Sequence, residues 1–177
     1  IQYRTDPHDT FVKIRSAEAP WMAGEDFDGH NLGNRMPFQG GYAPVAPQDR
    51  DVDVRDAITK ALMDIGFKVE REHHAVGGAG TQEIGYTFST LLHAADNVTV
   101  FKYIVKNKAI ELGKTATFMP KPLWSHAGSG MHMHVSLWRE DEPLFFDERG
   151  YGGLSDLARW FVGGLLHHAP AILPFTN

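Results

Sequence analysis

Residues 113–122 read GKTATFMPKP, and residues 128–137, a few positions further along the chain, read GSGMHMHVSL. Polar and apolar residues alternate in the second stretch, as they do in a β-strand whose side chains point to the two sides of a sheet in turn. One face then carries the polar residues and a tryptophan: His132, His134, Ser136 and Trp138. We predict a strand over residues 131–139, with one face for binding and one for packing.

Two imidazole rings side by side on a rigid strand suit two kinds of ligand. A neutral ring nitrogen can coordinate a metal ion, and a ring N–H can donate a hydrogen bond to an oxyanion such as phosphate. The alternative is a buried strand whose histidines are satisfied by hydrogen bonds within the protein. A bare H-x-H motif leaves both interpretations open, because so short a motif is only a hypothesis.

The sequence around the histidines is more specific than the H-x-H motif alone. Residues 114–137 resemble the signature of type I glutamine synthetases, in which KTATFMPKP leads through a glycine loop into a GSGMHxH strand. The resemblance continues through residues 40–42, 44–47, 73–74, 91–96, 101–107 and 163–170. It covers residues 37–177 well and the first part more loosely, and it identifies the chain as similar to the central part of the catalytic domain of the bacterial and archaeal enzymes.

The resemblance implies an α+β fold in which helices pack behind a curved, largely antiparallel sheet. Independently, apolar residues at helical spacing predict three helices, over residues 51–65, 91–112 and 155–168. Alternation predicts further strands over residues 10–15, 67–74, 82–89 and 114–118. We expect Asp51 and Ser155 to cap helix starts, Gly66 and Gly113 to end helices, and Pro170 to end the last one.

The second strand of the predicted hairpin places one carboxylate where it could reach a site. Ile84, Tyr86 and Phe88 share one face of that strand, so Glu83 lies on the other face beside the small residue Gly85. Taken alone, Glu83 could equally be a carboxylate that simply faces water.

The resemblance also implies roles for individual residues. Glu83 and His132 match metal-binding positions of the family, and hard ligands of this kind suit Mg²⁺ or Mn²⁺. Positions that contact the nucleotide, or lie beside it, match Glu70, Phe88, His134 and Ser136. Gly128 matches a position whose backbone approaches glutamate, where the missing side chain permits close contact. The implied substrates are ATP, glutamate and ammonia, and the implied assembly is a ring-shaped homo-oligomer.

Composition excludes several other classes of protein. The chain has 177 residues, of which 42% are hydrophobic, enough for a domain with a core. Its formal net charge of −5 argues against a nucleic-acid binder, which would present a basic patch. It has no cysteine, so a metal must take histidine or carboxylate ligands. No apolar run approaches the roughly 20 residues that span a bilayer. We predict a cytoplasmic protein without a nucleic-acid or membrane partner.

Two departures from the family motifs predict an impaired site. Family members read HHEV where residues 73–76 read HHAV, so Ala75 replaces a metal-binding carboxylate. They read GDNGSG where residues 125–130 read SHAGSG, so Ala127 replaces an asparagine that contacts glutamate. Glu72 lies three positions from Ala75, which on a regular strand turns it to the opposite face.

Three functions remain open at this stage. The first is a segment of a glutamate–ammonia ligase in an incomplete or impaired form, and the second is a related ligase that joins glutamate to a larger amine. The third is a scaffold or regulatory relative without catalytic activity. Because the sequence begins at Ile1, we also expect a fragment that lacks the family's small N-terminal domain, its upstream ExE strand and its C-terminal arginine segments.

Overall fold

The computed structural model describes residues 2–6, 8–26, 33 and 35–175, and it combines α-helices with short antiparallel strands. The strands are β1 (Gln2–Asp6), β2 (Asp9–Lys13), β3 (Val69–His74), β4 (Gln82–Tyr86), β5 (Trp138–Arg139) and β6 (Glu142–Pro143). The helices are α1 (Val52–Asp64), α2 (Leu91–Glu111) and α3 (Asp156–Ile172), with short 3-10 turns at Pro20–Met22, Tyr151–Gly153 and Leu173–Phe175. The chain divides into two compact units, one that runs to Ser129 and one that begins at Gly130.

In the first unit, helix α1 packs against both α2 and β3. The predicted apolar stripe is the reason, since Ile58 and Leu62 are buried one turn apart on the same face. The helix ends where expected, and Gly66 follows with a φ of +100°, a conformation that glycine adopts without strain. Asp51 holds the N-cap position, but its carboxylate does not cap the helix and instead lies 2.7 Å from Lys114 Nζ.

Helix α2 follows the hairpin of β3 and β4 and confirms the second predicted helix. Phe101, on its inner side, packs at 5.6 Å between ring centroids against Tyr86 of β4, which also meets Phe67 edge to face at 5.1 Å. Burial among these rings raises the pKa of the Tyr86 hydroxyl. Gly113, two residues past the helix, has a φ of +69° and marks its end as the sequence predicted.

In the second unit, helix α3 begins at a well-formed cap. The Ser155 hydroxyl accepts a hydrogen bond from the Ala158 N–H at 3.1 Å and donates one to the Leu144 carbonyl at 2.7 Å. The predicted end of this helix is wrong, because Pro170 lies inside it and the helix continues to Ile172. Proline removes one N–H and one helical bond, and so close to the C-terminus this loss does not stop the last turn.

Two predicted strands do not form within the described part of the chain. Residues 114–118 and 131–137 have no ladder partner, and β5 contains only the last two residues of the predicted histidine strand. The strands that are present make three separate two-stranded antiparallel sheets, so the curved sheet is not assembled here. Alternation shows which side chains share a face, whereas a strand also requires a neighbouring backbone to bond with.

The architecture is therefore α+β with antiparallel pairing. Among the described residues, no helix has the length and apolar character required to cross a bilayer.

Candidate functional site

The β3–β4 hairpin carries the chemically important side chains of the first unit on two distinct faces. Its register pairs Glu72 with Ile84 and His74 with Gln82 on one face, and His73 with Glu83 on the other. Residues paired across an antiparallel ladder point to the same side of the sheet. The first face meets α1 and the core, and the second is left open.

Arg55 of helix α1 anchors the inner face of this hairpin. Its guanidinium is buried and lies 2.8 Å from the Asp49 carboxylate, donates to the side-chain oxygen of Gln82, and has Nε 3.8 Å from Glu72. Glu72 also accepts a hydrogen bond from the Thr59 hydroxyl. Burial raises the pKa of Glu72, more strongly than the Thr59 hydrogen bond lowers it. This network links α1 to both hairpin strands.

A second anchor is the fully buried pair of Glu18 and His74, whose side chains are both 0% exposed. His74 Nε2 donates to one Glu18 oxygen at 2.8 Å, and the other oxygen accepts the Arg50 N–H at 2.8 Å. His74 Nδ1 lies 2.8 Å from the carbonyl oxygens of Gly41 and Ala75. Burial by itself lowers the pKa of His74, but the hydrogen bonds and charge of Glu18 outweigh it, so the pKa is raised. The histidine is therefore held as the cation, bonded at both nitrogens.

The open face of the hairpin presents Glu83 beside His73. The Glu83 side chain is 56% exposed, and one of its oxygens lies 3.7 Å from His73 Nε2. His73 Nδ1 donates to the His74 carbonyl at 3.0 Å, and the Tyr42 ring lies 5.0 Å away. Because Nδ1 carries the proton, Nε2 of a neutral His73 has a free lone pair. A carboxylate and an imidazole nitrogen are thus available together at one open position. Alternation correctly predicted that Glu83 faces away from Ile84 and Tyr86.

Glu72 does not replace the carboxylate missing at Ala75. Its side chain is engaged with Thr59 and Arg55 on the inner face of the hairpin. The bulge in the hairpin lies between Val69 and Arg71, ahead of Glu72, so it leaves the relation between positions 72 and 75 unchanged. The expectation that these two positions face opposite sides is consistent with this geometry.

The glycine loop, residues 120–130, closes on itself next to the turn of the hairpin. The Ser129 N–H donates to the Pro120 carbonyl at 2.8 Å. A Cβ added to Gly128 would lie only 2.3 Å from that same oxygen, so the backbone requires glycine here. His126, within the loop, is 8% exposed, and its Nδ1 donates to the Gly77 carbonyl at 2.8 Å.

The remaining predicted site residues are exposed to solvent. Glu70 is the residue that the bulge leaves without a partner on β4, and Phe88, just beyond β4, is 97% exposed. In the second unit, the Ser136 hydroxyl accepts from Trp138 Nε1 at 3.0 Å, which agrees with the predicted shared face. The two histidines of the predicted strand, His132 and His134, are exposed. Within the described residues, no group of three or more potential ligands gathers around one point.

Sequence reasoning missed three residues that organise the site. The sequence offered one signal for Arg55, because it lies three positions before Ile58 and therefore on the buried side of α1. No local sequence pattern pointed to Glu18, because its partner His74 is 56 residues away. His126 was noticed only as part of the altered SHAGSG motif, without a role.

Comparison with known proteins supports the resemblance over the whole chain. The family model described as glutamine synthetase, catalytic domain, matches residues 3–177. A glutamine synthetase of Frankia alni is 50% identical over 177 residues, which is 100% of this chain and 37% of that protein. One from Mycolicibacterium smegmatis is 52% identical over 180 residues, 100% of this chain and 38% of its own length.

Comparison with solved structures also matches the chain to a glutamine synthetase. A cryo-EM structure of Plasmodium falciparum glutamine synthetase is similar with a TM-score of 0.82 at 28% identity, covering 97% of this chain and 34% of that one. The resemblance inferred from residues 114–137 is therefore confirmed. The chain spans little more than a third of the length of the curated relatives that it matches.

Proposed function

We propose, from the premise that this chain belongs to the glutamine synthetase family, that it forms the central part of the catalytic domain of a glutamate–ammonia ligase. The observation that carries the proposal is the family match over residues 3–177, together with about 50% identity to glutamine synthetases along the whole chain. Because the chain spans only 37% of such a relative, the activity proposed is that of the whole protein.

The proposed reaction has two steps. A γ-carboxylate oxygen of glutamate attacks the γ-phosphorus of ATP, and the bond to ADP breaks, which gives γ-glutamyl phosphate. Ammonia then attacks the acyl carbon and phosphate leaves, which gives glutamine. Phosphoryl transfer of this kind depends mainly on positioning and on neutralising charge. The protein residues must therefore hold glutamate and ATP in line and keep water away from the acyl phosphate.

Glu83 is the proposed metal ligand of the first unit. It is exposed on the open face of the hairpin, and His73 beside it has a free ring nitrogen, so the donor set suits Mg²⁺ or Mn²⁺. Either ion prefers about six ligands, so others must join Glu83, and we assign that role to residues outside this chain. His132 is proposed as a ligand of a second metal site. A bound ion would neutralise charge on phosphate and carboxylate oxygens.

The other predicted residues have proposed roles in substrate binding. Glu70, Phe88, His134 and Ser136 would contact or lie beside the nucleotide, and the Gly128 backbone would approach glutamate. In the whole protein, residues 114–118 and 131–137 would join a larger curved sheet, because their alternating sequences suit strands that still need partners. We further propose a ring-shaped homo-oligomer that acts in the cytoplasm.

One specific observation favours a second candidate, a ligase for a larger amine. Ala75 and Ala127 both lack the polar side chains found in the family motifs. Their segments adjoin, since a Cβ on Gly77 would lie 3.5 Å from the Ala127 carbonyl. Two small residues in neighbouring segments leave room for additional carbon atoms on the amine.

The test is a turnover assay on the whole natural protein that contains this chain. Purified enzyme is incubated with glutamate, ATP and Mg²⁺ or Mn²⁺, with ammonia, methylamine or ethanolamine as the amine, and the γ-glutamyl product is measured by mass spectrometry. Glu83→Gln removes the carboxylate at nearly constant size and should lower activity roughly 10-fold or more. Glu111→Gln, at an exposed carboxylate at the end of α2, is the matched control and should behave like the wild type.

Three results are distinguishable. Glutamine formation that depends on ATP and metal supports the proposal, and preference for a larger amine supports the second candidate. Nucleotide binding without any γ-glutamyl product would refute both ligase proposals and support the third alternative, a relative without catalytic activity.

A further inference from the structure

The glycine loop and the hairpin turn are joined by one buried side chain, His126. Its Nδ1 lies 2.8 Å from the Gly77 carbonyl oxygen. Because that oxygen can only accept, Nδ1 must be the protonated nitrogen and donate the bond. His126 is 8% exposed, so water competes little for this contact. Among the hydrogen bonds of the described residues, it is the one that connects the loop directly to the turn.

The backbones on either side of this bond approach closely. A Cβ on Gly77 would meet Thr81 Oγ1 at 2.5 Å and the Ala127 carbonyl at 3.5 Å, so the turn has no room for a side chain there. The loop itself is closed by the Ser129 bond to Pro120. Because this bond ties the two ends of the loop together, the attachment to the turn helps to set where the residues between them lie.

Two aromatic rings set the direction of the His126 ring. Trp21 contacts it edge to face with centroids 5.3 Å apart and an interplanar angle of 79°, and Phe38 does so at 4.9 Å and 76°. Edge-to-face packing of this kind favours one ring orientation. Nδ1 is therefore aimed at Gly77 before any ligand arrives, and little conformational freedom remains to be lost.

We propose that His126 is a positioning residue that sets the affinity for glutamate by fixing the glycine loop to the hairpin turn. Gly128 is two residues beyond His126 in the closed loop, so a loop released from Gly77 would carry the Gly128 backbone away from its place beside the hairpin. This inference rests on the proposed function, in which Gly128 approaches glutamate. In this chain the His126 hydrogen bond anchors the glycine loop. The family motif has an asparagine where this chain has Ala127.

Three substitutions in the whole protein separate the hydrogen bond from the bulk of the ring. The side-chain nitrogen of asparagine reaches about the position of histidine Nδ1, and that of glutamine reaches about the position of Nε2. His126→Asn therefore keeps the donor facing Gly77, whereas His126→Gln misplaces it and His126→Leu removes it. His93→Leu, an exposed histidine on α2, serves as the matched control.

Two measurements are made on each variant. The first is KM for glutamate and for ATP together with kcat, and the second is amide hydrogen exchange across residues 75–81 and 120–129. For the Gln and Leu variants we expect KM for glutamate to rise about 5-fold or more, the size of one net hydrogen bond. KM for ATP and kcat should stay within about 2-fold, while exchange should accelerate in those two segments. The Asn and His93→Leu variants should match the wild type.

Several results would overturn the inference. One is glutamate affinity that does not change in the Gln and Leu variants, another is a parallel rise in KM for glutamate and ATP, and a third is an Asn variant that behaves like the Leu variant. If the wild type forms no γ-glutamyl product, the proposed function fails instead. Glutamate affinity measured by calorimetry and the exchange rates then still decide the role of His126.

Discussion

Replacing Glu18 by alanine is expected to lower the free energy of unfolding by about 3 to 5 kcal/mol. The carboxylate accepts two hydrogen bonds at 2.8 Å, from His74 Nε2 and from the Arg50 N–H. Alanine leaves both donors buried without a partner, at about 1 to 3 kcal/mol each. It also leaves the His74 cation without its counter-charge, so the upper part of that range applies at low pH.

The glutamine variant gives a sharper result, because it should reverse the pH dependence contributed by His74. In Glu18→Gln the amide oxygen can still accept the Arg50 N–H, while the amide nitrogen donates to an unprotonated His74 Nε2. Without the carboxylate, burial keeps the pKa of His74 below its ordinary value of about 6.5. The histidine then becomes neutral in the folded protein.

The signs follow from proton linkage. In the wild type the pKa of His74 is raised on folding, so its contribution is fully present below about pH 6.5 and is lost as the pH rises through the folded-state value. In Glu18→Gln the folded-state pKa is lowered, so stability is lost as the pH falls. The difference in stability between wild type and Glu18→Gln should therefore be largest near pH 5.5 and shrink towards pH 8.5.

Urea unfolding at several pH values, followed by tryptophan fluorescence, measures these differences. Glu25→Ala is the matched control, because the Glu25 side chain is 53% exposed in its pair with Arg15 and such surface pairs contribute at most about 1 kcal/mol. A loss below about 1 kcal/mol in Glu18→Ala, or a Glu18→Gln difference that does not shrink with rising pH, would refute the role assigned to this pair.

Three further predictions concern the hairpin and the glycine loop. Ala75→Glu should tighten Mn²⁺ binding by about 10-fold or more and raise turnover; unchanged metal titration would mean that position 75 is not a vacated ligand site. Gly128→Ala should destabilise the protein by about 1 to 3 kcal/mol in thermal unfolding, because its Cβ would lie 2.3 Å from the Pro120 carbonyl. Gly163→Ala, in open space on α3, should instead be neutral or slightly stabilising, and equal losses in both would contradict the steric argument. Arg55→Met should cost about 3 to 5 kcal/mol in urea unfolding, since it leaves the buried Asp49 carboxylate without its partner. Full stability in Arg55→Lys would show that the forked geometry is unnecessary.

Much of the first unit could be predicted from local patterns. The apolar spacing of α1 and α2 and the glycines after them determine those helices with little help from elsewhere. The alternation in β4 correctly placed Ile84 and Tyr86 opposite Glu83. Such features depend on neighbours in sequence, and simple periodicity captures them.

The missed features all depend on partners that are distant in sequence. Alternation predicted the histidine strand, but a strand at residues 131–137 requires a second backbone that no local pattern supplies. The Glu18 to His74 pair and the His126 bond to Gly77 join segments separated by 56 and 49 residues. The candidate site residues were predicted from their resemblance to the family motifs, whereas the contacts around them became visible only in the three-dimensional structure.

The bulge between Val69 and Arg71 bears on how errors in strand pairing are avoided. A slip of one residue in β3 would exchange its two faces. His73 would then point at α1, and Glu72 and His74 would point at solvent. Arg55 bonds to Gln82 and lies near Glu72, one on each strand, and this arrangement is possible in a single alignment only. An insertion at the bulge should therefore be tolerated, while one between Glu72 and His74 should produce a misaligned hairpin. The contacts of the buried arginine with both strands thus favour one register of the hairpin.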